Sequence, residues 1–383
     1  MTSTLKPLCL VLMTIGFVFT LNSCKDSNTR KDISSAAASI DTQEVLFPSQ
    51  VTPYFDNWKL ILGNGKNAGN VTEYTNKDFF YTTKENGTDW VVYKTPNGGN
   101  THGSSSNTRT ELAQVKKWKA TTPAKLTASL KVMNVSATGD ARVGASYSVV
   151  VGQIHSADGH ENEPFKLFYK KFPGHKKGSL FWNYEINTLG DDNSGRWDYS
   201  YPIWGYGFDK VGKTKDDFPA EPTDGIELGE EFSYVVEIKG DGNMYLSFSS
   251  EGHETKTFTK NLLVSEYTKK EDMPEQVRRL FVPIGQDGVE VPTAYTGQGL
   301  FFKQGCYSQT NGKPYETNPV WCAGAETYNG DLQKQYDTGN YSEVWFKEAT
   351  IMVHKDAYSN NQYFANNDDY QKPRPFDNPD EKK

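Results

Sequence analysis

Cysteine and histidine are scarce: four of the first and six of the second in 383 residues. No C-x-x-C pair occurs, which excludes a zinc ribbon or a dithiol redox motif. The histidines (102, 155, 160, 175, 253 and 354) show no H-x-x-x-H spacing, and no Asp/Glu-rich calcium loop stands out. The chain is therefore expected to work without a metal or any other cofactor. Basic charge is not in excess, with 41 Lys and Arg against 48 Asp and Glu, net −7. No global positive field exists to hold nucleic acid, which is excluded as an expected partner. Hydrophobic residues reach only 36 %, and no long apolar segment of 3.6 period appears, which excludes a helical bundle, a coiled coil and a multi-span membrane protein. Abundance lies elsewhere: 22 Tyr, 21 Phe, 8 Trp and 33 Gly. This composition fits an all-β protein with many turns and is too aromatic for a disordered chain.

The one apolar run is N-terminal. Lys6 precedes residues 8–21, and Leu21-Asn22-Ser23-Cys24 follows. The segment resembles a bacterial lipoprotein signal, in which the Cys is lipidated and becomes the new N-terminus. An ordinary secretory signal with an incidental Cys24 is the alternative. The expected organisation is a signal peptide over 1–23, a polar tether over 24–45 and one domain over 46–383. Export and lipid anchoring to the bacterial membrane, on its periplasmic or cell-surface side, follow as expectations, with Cys24 as the attachment site. Cys306 and Cys322 can close a disulfide in such a compartment or remain two buried thiols; both readings stand.

Period-2 alternation predicts strands over 90–93, 110–115, 126–135, 147–155, 165–172, 179–187, 232–239, 244–249, 300–308 and 344–354. Gly, Asn and Pro turns join them, as at 173–178 and 240–243, which suggests two packed antiparallel sheets. The charged stretch 269–280 reads as one short surface helix. Residues 188–230 show little periodicity and read as long functional loops. The Asn/Asp/Pro-rich tail after Lys355 reads as a segment that wraps the surface or frays.

Three strand segments carry candidate chemistry. In Thr108-Arg109-Thr110-Glu111-Leu112-Ala113, Arg109 and Glu111 share a face. Glu111 can hold Arg109 ready for an anion, or the two form an ordinary surface pair. In Val151-Gly152-Gln153-Ile154-His155, Gln153 and His155 share a face, with Val149, Val151 and Ile154 seating the strand. A histidine at a strand end suits a general base, and equally a structural hydrogen bond to a loop. In the segment from Phe301 to Gln309, Lys303, Gly305, Tyr307 and Gln309 share a face. Gly305 leaves room for a ligand near the backbone.

Together these segments resemble the alginate lyases of polysaccharide lyase family 7. Their signature strands read close to R-T-E-L-R, Q-I-H and Y-F-K-A-G-x-Y-x-Q, and all three occur here in that order. The resemblance implies a β-jelly-roll of two antiparallel sheets with a concave substrate groove. It marks Arg109, Gln153, His155 and Tyr307 as catalytic, and Glu111, Lys303 and Gln309 as substrate-binding. Two departures matter. Ala113 replaces the second Arg of the first motif, removing one carboxylate contact. Gln304 replaces the Ala after the motif Lys, and its parity points it away from the groove.

The implied reaction is β-elimination on a polyuronate. A base removes the C5 proton beside the carboxylate, the 4-O-linked sugar leaves, and a 4,5-unsaturated uronic end forms. Donors on the carboxylate stabilise the enolate-like intermediate. Arg109 and Gln153 suit that task. His155 suits the base or a neutraliser of the carboxylate, and Tyr307 the acid at the leaving oxygen, or the base when proton and leaving group lie on one side. Lys303 is expected to lower the Tyr307 phenol pKa. Lys166 and Lys170, sharing the next strand's face, are further candidates for the anionic polysaccharide. Lys171, His175, Lys176 and Lys177 follow at the hairpin.

Competing classes are a non-catalytic glycan-binding surface lipoprotein, a glycoside hydrolase, and a lyase for another uronan such as glucuronan. The hydrolase needs paired carboxylates on a strand face, whereas Glu161 and Glu163 fall in a loop signal. Ile154, by the same resemblance, points weakly towards guluronate-containing blocks. The insertions at 97–108, 156–164 and 188–230, the last with Trp197, Trp204 and Tyr206, lead to an expectation of exolytic cutting. The Gly-rich first insertion is placed to act as a lid. A monomer is expected.

Overall fold

Strands dominate the computed structural model, which describes residues 46–52, 55–69, 71–103, 105–157, 163–186, 197–263, 295 and 299–353. In chain order they are β1 (Trp58–Ile61), β2 (Phe80–Glu85), β3 (Thr88–Pro96), β4 (Arg109–Gln114), β5 (Ala124–Asn134), β6 (Ser148–Ser156), β7 (Phe165–Lys170) and β8 (Lys177–Ile186). Then follow β9 (Trp197–Trp204), β10 (Ile226–Glu227), β11 (Glu231–Ile238), β12 (Asn243–Ser249), β13 (Lys256–Asn261), β14 (Leu300–Ser308) and β15 (Tyr341–Val353). Short helices α1 (Pro48–Val51) and α2 (Leu332–Asp337) sit at the margins. All ten predicted strands are present. The predicted helix at 269–280, the tail after Lys355 and the N-terminal segments with Cys24 lie outside the described residues.

Two antiparallel sheets face each other. One is eight-stranded, in the order β1-β4-β14-β6-β7-β8-β10 with β9 also paired to β8; the other is seven-stranded, β13-β12-β11-β5-β15-β3-β2. One side chain in two from each sheet points into the shared core. Leu112, Val149, Ile154, Leu167 and Trp182 meet Tyr93, Leu130, Tyr234, Phe248 and Phe346 there, all essentially removed from water. Each such side chain contributes about 1.5–3 kcal/mol by burial. This is the β-jelly-roll the sequence implied. The outer face of the eight-stranded sheet is left to carry polar groups.

Two bulges tune that face. Along β6 the apolar set Val149, Val151, Ile154 slips parity, and the pairing with β7 shifts between Val150 and Gly152. Val150 points outward by ordinary alternation, into a small second cluster with Phe168, Phe181 and Phe208, and the slip is what brings Gln153 and His155, of the same parity as Val149 and Val151, onto that outer face. On β14 the pairing with β6 shifts between Gln304 and Tyr307. Gly305 sits there at φ +144°, and a Cβ would lie 2.6 Å from the Thr110 carbonyl oxygen on β4. This glycine therefore serves close strand approach and the bulge, not ligand room as the sequence suggested.

Residues 197–204, read from sequence as loop, form β9 against β8. Trp204 is buried, with Nε1 donating to the Glu254 carbonyl, and Tyr206 lies by Lys170 and Phe172. Neither lines the cleft described below. Cys306 and Cys322 are unbridged: Cys306 faces the core, whereas Cys322 lines the outer cleft.

Candidate active site

Strand register assembles the site. Lys303 on β14 pairs with Ala113 of β4 and Gln153 of β6, and Gln153 pairs in turn with Lys166 of β7. One row thus crosses four strands. Tyr307 lies opposite Arg109, and His155 opposite Phe301. All outward side chains of these rows reach one face, where a cleft of about 620 Å³ is lined by Arg109, His155, Lys166, Lys303, Tyr307 and Gln309. The structure brings these six candidates together.

Glu111 holds the centre from below. Its carboxylate accepts from Lys303 Nζ at 3.0 Å, from Arg109 at 3.4 Å and from Gln153 Nε2. It is 1 % exposed. Burial alone pushes its pKa up, but the charges of Lys303 and Arg109 outweigh that and hold it below the usual carboxylate range. Its lone pairs are spent on protein donors, so it positions the substrate-facing groups and does not itself face the cleft. Arg109 keeps Nε without a partner, and Gln309 keeps Nε2 likewise.

Tyr307 lies under Arg109, whose guanidinium carbon is 3.8 Å from the ring centre. Its hydroxyl is 3.4 Å from Ser105 Oγ, which also accepts from Arg109 at 2.8 Å. Burial raises the phenol pKa, but Arg109, Lys166 and the Ser105 contact outweigh burial and lower it. The sequence assigned this lowering to Lys303. That amine is 5.9 Å from the ring and committed to Glu111, so Arg109 and Lys166 do the work instead.

His155 stacks on Phe301 at 5.0 Å. Its Nδ1 meets the Ser156 carbonyl, which assigns the proton to Nδ1 and turns Nε2 towards Glu163, 3.4 Å from Oε1. Burial pushes the imidazole down to about 4; Glu163 opposes this and Lys303 adds to it. His155 is therefore a neutral acceptor at neutral pH. The sign for stability follows: an unfolded imidazole near 6.5 takes up protons that the folded one refuses, so this group removes stability as pH falls from about 6.5 towards 4. We expect the acid limb of kcat/KM near pH 4–5 in a pH–rate profile. Glu163→Gln, which removes the carboxylate holding the pKa up, should shift that limb further to acid. A limb at 6.5 in both proteins would refute this reading of His155.

Sequence reasoning weighed Glu163 only as a loop carboxylate against a hydrolase and gave it no role at this site, where it pairs with Lys166 Nζ at 3.0 Å besides facing His155. It also passed over Ser105 and the segment after β14, from which Lys313 Nζ donates to Ser106 Oγ at 2.6 Å and Asn311 to Asn107 at 2.7 Å. These contacts tie the described part of the 97–108 insertion to the cleft wall. Lys170 is not at the site. It shares the face of Lys166, but its Nζ donates to the carbonyls of Gly144 and Lys210, beneath a loop that covers that end of β7. Among the described residues, no three His, Cys, Asp or Glu side chains are grouped to hold a metal.

A jelly-roll with a cationic cleft, an acidified phenol and a neutral imidazole on one sheet face defines a polysaccharide lyase acting on an anionic glycan. The family model described as Alginate lyase matches residues 54–353, and the chain belongs to that family. It is an alginate lyase: it cleaves the polyuronate by β-elimination, leaving 4,5-unsaturated ends. An alginate lyase of Klebsiella pneumoniae is 28 % identical over 278 residues, 63 % of this chain and 75 % of the relative. Its fold is shared by the crystal structure of the alginate lyase from Klebsiella pneumoniae, at 20 % identity and TM-score 0.54, covering 79 % of this chain and 97 % of that one. The crystal structure of the exolytic PL7 alginate lyase AlyA5 from Zobellia galactanivorans is 58 % identical, with TM-score 0.74, covering 81 % of this chain and 98 % of that one.

Proposed function

We propose that this enzyme works from alginate chain ends, with Arg109 and Gln153 neutralising the substrate carboxylate, and with His155 and Tyr307 moving the proton. In this reading Tyr307 protonates the leaving oxygen, and it also takes the C5 proton when both lie on one side. His155, neutral and with Nε2 towards the cleft, takes the proton for the opposite epimer. The Arg109 guanidinium stacked 3.8 Å from the acidified Tyr307 ring, both lining the cleft, is the observation that carries the assignment. Charge placed where the enolate develops is the largest catalytic term. Lys166, Lys303 and Gln309 serve substrate binding, the first two through the positive field of the cleft.

Exolytic action is supported by the 58 % identity to a lyase described as exolytic. It is supported too by the 97–108 insertion and the 311–322 segment, which join beside the cleft. An early time course on polymer should release monomer or dimer with slow loss of viscosity, unaffected by EDTA. A fast viscosity drop with mid-sized oligomers would defeat the exolytic reading, and EDTA inhibition the cofactor-free one.

We further propose that the enzyme is exported as a monomer and held to the membrane by lipid on Cys24, on the strength of Leu21-Asn22-Ser23-Cys24 after an apolar run. Cys24→Ser should release the protein from the membrane fraction or leave it unprocessed. Unchanged fractionation would remove the anchor from the account.

A further inference from the structure

Lys166 stands on β7 between Gln153 of β6 and Asn183 of β8, so its side chain joins the outward row and lines the cleft with His155 and Tyr307. That side chain is nevertheless only 3 % exposed, and two carboxylates hold its ammonium: Nζ lies 3.0 Å from Glu163 and 3.2 Å from Glu185. Glu185 follows Asn183 by two positions on β8 and so shares its face. It is wholly buried, and its backbone is fixed on both sides. Its N–H donates to the Glu163 carbonyl at 3.0 Å, and its carbonyl accepts from the Tyr295 hydroxyl. A lysine stem is rich in rotamers, and pinning its end at two points removes that freedom. Burying a carboxylate to do so is expensive, and well-packed apolar groups would serve the core as well or better. The triad therefore calls for a reason in the cleft, where its other arm ends.

That arm is Glu163, whose Oε1 is 3.4 Å from His155 Nε2. A carboxylate acting alone at that distance favours the imidazolium, and a protonated His155 cannot accept the C5 proton. Lys166 counters it. The charged groups facing His155 are Glu163, which raises its pKa, and Lys303 and Lys166, which lower it. Those facing Tyr307 are Arg109 and Lys166, which lower the phenol, and Glu163, which raises it; Lys303 is 5.9 Å from the ring. Lys166 thus acts on both groups in the same sense. We propose that Lys166 is a positioning residue for proton transfer, anchored by Glu185, that steadies Glu163 at His155 and places one positive charge beside both proton-moving groups. This role is separate from attraction of the polymer, and it rests on His155 and Tyr307 moving the proton.

The test is an NMR titration of the enzyme with isotope-labelled histidine and tyrosine rings, beside kcat and KM on alginate. His155→Ala and Tyr307→Phe identify the two signals. In Lys166→Met both titration midpoints should rise, each by about one pH unit. Lys166→Arg, which keeps the charge, should bring both back towards wild type. Lys166→Met alone takes the cation from buried Glu185 and can fail to fold. Lys166→Met combined with Glu185→Gln removes that burden and should show the same two upward moves. Unmoved midpoints with a raised KM would make Lys166 a substrate contact only, and unmoved midpoints with a lowered Tm would make the triad a structural staple. Either result overturns the proposal, as does a move in one group without the other. The underlying site reading fails separately, through a Tyr307→Phe enzyme that still forms unsaturated product at the wild-type rate.

Discussion

Tyr307→Phe should lower kcat on alginate by at least ~100-fold, the scale of a lost acid–base group. The substitution removes one oxygen and little else. The ring stays beneath the Arg109 guanidinium, 3.8 Å away, so the cation–π contact and the packing against the outer cluster that holds Val150 survive. The one hydrogen-bond partner lost is Ser105, at 3.4 Å, worth about 1 kcal/mol or less. Stability should therefore stay near wild type and KM should move little, because Arg109 and Gln153, the proposed carboxylate partners, are left in place. His155→Ala should fall as far in kcat but at some cost to packing, since the Phe301 stack goes with it. Ultraviolet absorbance of the new unsaturated end measures both, beside a thermal unfolding curve. Near-normal turnover by the Phe variant would remove Tyr307 from proton transfer and leave it a stacking partner for Arg109.

Residues on regular strands could be placed from sequence because period 2 alone decides their face. Arg109, Glu111, Lys303 and Tyr307 were legible for that reason, whereas Gln153 and His155 share a face with each other by period 2 but reach the outer one only through the slip on β6, and register then brought all six into adjacent rows. Lys170 marks the limit of the same rule. Its face was right, but period 2 does not report what covers the face, and the Gly144 and Lys210 carbonyls take its amine. Glu163 and Ser105 lie on irregular backbone, where no spacing relates a side chain to the cleft. Their positions depend on tertiary contacts with Lys166, Arg109 and Tyr307. Strand β9 was missed because Pro202 argues against a strand, and Pro202 indeed falls where the pairing with β8 slips. Gly305 was found but misread. A glycine beside a site invites a ligand argument, whereas the neighbour it admits is the backbone of β4.

Glu111→Ala should be the most damaging change away from the proton-transfer pair, since it affects stability and rate at once. Glu111 is the common acceptor for Lys303, Arg109 and Gln153. Without it, two cations remain close together in a largely buried place with no shared counter-charge. Breaking a buried pair this way costs about 3–5 kcal/mol, and the open cleft beside Arg109 argues for the lower end. Gln153 and Arg109 also lose the contact that aims them, and a misplacement of about 1 Å costs on the order of 100-fold in rate. The pH behaviour separates this from a general packing defect. The Glu111 carboxyl is held below its ordinary 4.5 in the folded state, so its contribution is present above 4.5 and is lost as pH falls through the lower folded value. The gap in stability between wild type and Glu111→Ala should therefore be widest at neutral pH and narrow in acid. Glu111→Leu combined with Lys303→Met replaces the ion pair with apolar groups and should recover much of the stability. Activity should not return with it, because neither group would be left to orient Arg109 and Gln153 or to meet the substrate's charge. A stable and fully active double variant would show that the buried cluster is dispensable for aiming the catalytic groups.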